Sequence, residues 1–76
     1  MERTVFKSME EILRTAIERE ADSFDFYFNA ALQVGDPKLR RFLNELAEME
    51  REHLKRLGGE LDALEARRWL DRALSC

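Results

Sequence analysis

Apolar residues recur along this chain at helical intervals, and two glycine-containing breaks divide the pattern. Ser8-Met-Glu-Glu11 has the S-x-x-E form of a capping box, which starts a first helix at Met9. No Gly or Pro interrupts it before Gly35, so the pattern predicts a helix over residues 9–34, near 39 Å long at the usual rise. Gly35-Asp36-Pro37 reads as a tight turn, with Gly35 in a left-handed conformation, Asp36 as the next N-cap and Pro37 in the first helical turn. A second helix over 37–57 then stops at Gly58-Gly59. A short third helix over 60–74 carries Leu61, Leu64, Trp69, Leu70 and Ala73. A short connection between two long helices makes an antiparallel hairpin, and strand-type alternation is absent from the sequence. The fold class expected is therefore all-α.

The stripe of the first helix runs Leu13, Ile17, Glu20, Phe24, Tyr27, Ala31, stepping 4, 3, 4, 3, 4. The second gives Leu39, Leu43, Leu46, Glu50, His53, Leu57 with the same steps. This is a coiled-coil seam with three polar intruders, Glu20, Glu50 and His53. A buried carboxylate without a partner costs several kcal/mol or takes up a proton, so three such residues call for a shared cause. Glu20 and the midpoint of Glu50 and His53 lie equally far from the Gly35-Asp36-Pro37 turn. In an antiparallel hairpin that equality puts all three side chains in one layer, and the i, i+3 spacing sets Glu50 and His53 on one helix face. A cation there would offset the burial, and two carboxylates with an imidazole suit iron, manganese or zinc. Glu18, Glu45, Glu48 and Glu52 fall off the stripe and read as solvated charge. Tyr27, two turns beyond Glu20, is either a packing residue at the core edge or a phenol placed near the metals.

Composition narrows the functional classes. Seventy-six residues bury only about 60% of their unfolded surface, so the chain needs a metal or a partner to supplement its core. A single cysteine, Cys76, excludes an internal disulfide. Thirteen Lys and Arg against 16 Asp and Glu give a net charge of −3 with no basic run, which argues against nucleic acid as a partner. No apolar stretch is long enough to span a membrane, and Met1-Glu-Arg-Thr lacks the layout of a signal peptide, so the cytoplasm is the expected location.

The segments Ala16–Tyr27, Asp36-Pro-Lys-Leu39 and Leu46-Ala-Glu-Met-Glu-Arg-Glu-His53 resemble the rubrerythrin branch of the ferritin-like superfamily over about residues 8–57. The resemblance implies a four-helix bundle around a di-iron centre, with Glu20, Glu50 and His53 as metal ligands. One hairpin supplies half of that ligand set. In this the chain is similar to the encapsulated ferritins, short two-helix chains that complete the site between two subunits. Their spacing of 30 residues from Glu to Glu and three more to His is that of Glu20, Glu50 and His53, and Phe26-Tyr27 matches their aromatic pair, with Phe where Trp is usual. Asp22 matches one of their iron-attracting acids, and Arg19 departs from them. The resemblance thus implies a homodimer or higher homo-oligomer that oxidises Fe(II) with O₂ or peroxide. An encapsulin shell is a candidate partner, although no targeting tail is seen after Leu74. The four-cysteine rubredoxin-like site of full rubrerythrins is absent from this sequence, which favours ferroxidase over peroxidase action. The competing reading is a non-enzymatic helical dimerisation module with a structural metal such as zinc, or none.

Overall fold

In the computed structural model, residues 8–75 are described. They form two helices, α1 (Met9–Gln33) and α2 (Pro37–Leu74), in an antiparallel hairpin. The Ser8 side chain caps α1, its Oγ accepting from the Glu11 N–H at 3.1 Å. Asp36 caps α2 through the Lys38 N–H at 3.0 Å, and Pro37 occupies the first turn, where a missing N–H costs nothing. The connection closes differently from the expected left-handed glycine. No glycine has positive φ; the chain leaves α1 through Val34 in an extended conformation, φ −83° and ψ 141°. The Val34 carbonyl, which has no helical partner there, accepts from the Arg40 guanidinium at 2.7 Å. That long side chain does the work a left-handed turn would otherwise do.

The break expected at Gly58-Gly59 is also absent. Both glycines lie inside α2, which runs unbroken for 38 residues, so the separate helix over 60–74 is the second half of α2. Two helical glycines cost about 2 kcal/mol relative to alanine. Ending the helix would cost more, because the apolar stripe that includes Leu57 continues past the glycines in Leu61 and Leu64, and Leu64 is among the few buried residues. Two ion pairs then tie the far end together: Arg14 to Glu65 at 2.7 Å and Arg68 to Glu10 at 3.0 Å.

Ala31 of α1 and Ala47 of α2 are both buried in the hairpin. The α1 stripe residues Leu13, Ile17, Glu20, Phe24 and Tyr27 are all half-buried, as are Leu43, Leu46, Glu50 and Leu57 of α2. Leu39 is exposed, because at the first turn of α2 little of α1 lies beyond it; His53 is exposed because it leans toward one edge of the seam. The hairpin measures 61 × 28 × 12 Å, one helix thick, and so leaves large apolar side chains uncovered, with Phe26 67% and Leu32 70% exposed. Among the described residues no helix is long and apolar enough to cross a membrane.

Candidate metal centre

The two edges of the seam differ. Arg14 lies two residues from both Ile12 and Ala16, about 200° around α1, so it faces the opposite side. That side carries the Arg14–Glu65 and Glu10–Arg68 pairs and is lined by charge. The other side is an open groove. One hollow in it, about 330 Å³, is lined by Ala16, Glu20, His53, Arg56, Leu57 and Glu60. A second, about 260 Å³, continues along the groove past Leu13 and Leu64 and shares Glu60 with the first. A larger hollow of about 730 Å³ sits among Glu10, Glu65, Arg68 and Trp69, where its charges already answer one another.

The three polar intruders converge at the open edge. Glu20 comes from α1; Glu50 and His53 come from successive turns of α2. One ligand atom from each can be chosen so that all lie within 4.8 Å of one another. His53 Nδ1 is 3.2 Å from Glu20 Oε2 and 3.8 Å from Glu50 Oε2. The side chains grade in exposure across the seam: Glu50 17%, Glu20 31%, His53 46%. Glu50 lies deepest, and its Oε2 is buried with no hydrogen-bond partner. A buried carboxylate oxygen without a donor is an unpaid desolvation cost, and a cation is the group that removes it most completely. Two carboxylates and one imidazole fit a divalent ion of the iron, manganese or zinc kind, while three donors leave coordination positions free.

The remaining candidates divide clearly. Tyr27 shares the α1 stripe but lies two turns, about 10 Å, along the axis from Glu20. Its ring meets Phe26 edge-on at 5.5 Å, and among the described residues it has no hydrogen bond to the three. Glu18, Glu45, Glu48 and Glu52 are exposed, with Glu48 and Glu52 engaged by Arg51 and Lys55 at 3.8 and 3.5 Å. Asp22 is exposed too. The sequence reading left out Arg56 and Glu60, which wall the hollow beside the ligands. Their signal was present in the spacing: Arg56 follows His53 by three residues and Glu60 by seven, both on its face of α2.

A family model described as Rubrerythrin matches residues 2–61. No curated protein and no solved structure matches the chain.

Proposed function

The chain belongs to the rubrerythrin family, and on that premise we propose that it is a di-iron carboxylate protein that oxidises Fe(II) with O₂ or peroxide at a site shared by two copies of the chain. The observation that carries this reading is the grouping of Glu20, Glu50 and His53 on the open edge of a hairpin only 12 Å thick, with Glu50 Oε2 buried and unpartnered. A second hairpin laid on that edge by twofold symmetry brings a second set of three ligands, and also covers apolar surface that one helix layer leaves bare.

Each residue then has a distinct task. Glu50, the deepest of the three, would hold metal through a carboxylate with two donor oxygens. Glu20 would add a carboxylate from α1, and His53 an imidazole from the edge nearest solvent. A pair of Fe(II) held there would supply two electrons, enough with two protons to take O₂ to hydrogen peroxide or hydrogen peroxide to water. The chain's own contribution would be to hold two carboxylates and an imidazole together, beside the apolar side chains of Ala16 and Leu57. Manganese or zinc is accepted by the same donor types, and a structural zinc in a non-enzymatic dimer is the competing outcome.

Anaerobic Fe(II) titration followed by air decides between them. Two Fe(II) per dimer and oxidation well above the protein-free rate support the proposal. Binding without accelerated oxidation leaves the dimerisation module, and no binding at that ratio removes the shared site.

A further inference from the structure

The hollow beside the ligands has a feature that a cation site alone does not explain. Arg56 forms part of its wall, next to Glu20 and His53. A guanidinium beside two carboxylates ordinarily pairs with one of them. Here Glu20 Oε2 is engaged by His53, and Arg56 has no ion pair among the described residues, although its neighbours Arg51 and Lys55 both do. Its donors are thus available to the hollow. On its own, a positive charge there opposes the binding of a metal cation.

Charge counting shows what resolves that opposition. A divalent ion balances Glu20 and Glu50, and Glu60, one turn along α2 in the lining of the same hollow, offsets Arg56. A trivalent ion leaves one positive charge over, in a hollow whose lining also holds Arg56 and the apolar Ala16 and Leu57. An anion between the two cations meets attraction from both, and a planar guanidinium presents paired N–H groups that match an oxyanion. We propose that Arg56 and a trivalent ion held by Glu20, Glu50 and His53 together bind an oxyanion of the phosphate class in this hollow. The inference rests on the di-iron reading above. It adds that the oxidised site takes up phosphate while the reduced site does so weakly. Arg56 is here a binding residue for the anion and takes no part in holding the metal.

The test uses the full chain, loaded with Fe(II), aired and freed of unbound iron by gel filtration, then dialysed against radiolabelled inorganic phosphate. A parallel sample is loaded with Zn(II). The expected result is about one phosphate per bound-iron position in the iron-loaded protein and markedly weaker uptake by the zinc form. Arg56→Gln should weaken phosphate binding about tenfold or more. Arg41→Gln, in a hollow near the turn with Pro37 and Asn44, should leave it unchanged. In phosphate-free buffer Arg56→Gln should also bind Zn(II) more tightly than the wild type, since a repelling charge is gone. Equal phosphate uptake by wild type and Arg56→Gln overturns the proposal, as does iron-loaded wild type that takes up none. If Arg56→Gln weakens dimerisation and leaves phosphate uptake unchanged, Arg56 pairs with a second copy instead, and the proposal is lost. Failure to bind iron at all refutes the di-iron reading as well; iron without phosphate refutes this inference alone.

Discussion

Replacing Glu50 by Gln should change stability in opposite directions with and without metal. The side chain is only 17% exposed, and its Oε2 is buried without a donor. Without metal, the charge is a burden carried by the folded state. Gln keeps the shape and removes the charge, which should stabilise the metal-free protein by about 1–2 kcal/mol. For a chain of this size that is a rise of roughly 5–10 °C in the midpoint of thermal unfolding. With metal at about a hundred times its dissociation constant, the wild type gains about 2.7 kcal/mol by mass action, or roughly 10–20 °C. Glu50→Gln should forgo most of that gain, so the order of stability reverses. Circular dichroism at 222 nm, in chelator and then in excess Mn(II) or Zn(II), reads both arms without redox chemistry, and analytical ultracentrifugation on the same samples reads assembly. Metal should promote assembly of the wild type and not of the variant. A wild type more stable than Glu50→Gln in chelator would mean that Glu50 is satisfied in the apo protein. Equal metal-induced shifts in both proteins would remove Glu50 from the site.

Gly58→Ala with Gly59→Ala should raise stability by about 1–2 kcal/mol, because an added Cβ meets nothing within 4 Å at either position and neither has positive φ; a fall in the urea midpoint would instead indicate a helix break there. Ala47→Leu should destabilise the hairpin by about 1–3 kcal/mol through overpacking at a buried position, measured by the same unfolding curve, and an unchanged midpoint would refute that packing. Metal affinity should fall on acidification, since protons compete with the metal for its ligands; calorimetric Zn(II) affinity that stays flat as the buffer is acidified would argue against ligation by these side chains.

The elements with strong local signals were legible in the sequence. Ser8 and Asp36 cap the helices where the capping pattern put them, and the stepping of Leu13 through Ala31 matched the half-buried face of α1. The convergence of Glu20, Glu50 and His53 was legible as well, because equal distance from a short turn is a geometric constraint and does not depend on propensity. The two failures share a physical cause. Gly35 and Gly58-Gly59 were read by their conformational freedom, yet in both places a distant side chain made that freedom unnecessary. Arg40 reaches back to the Val34 carbonyl, and Leu64 with the Glu65 and Arg68 ion pairs holds α2 straight past its glycines. Such tertiary compensation leaves no periodic trace. Arg56 was overlooked for a related reason: a charged residue just off the stripe looks solvated until the shape of the groove is known.

The thinness of the hairpin has a consequence for timing. A hairpin 12 Å thick leaves Glu20 and His53 partly exposed, so an ion held there by a lone copy would exchange readily with the surrounding solution. Residence time then depends on whatever lies over the open edge. If that cover is another copy of the chain, the lifetime of the bound ion lengthens as copies accumulate and shortens on dilution. On the di-iron reading, iron retention would then report local protein abundance: a crowded population of hairpins would keep its iron, and a sparse one would give it back.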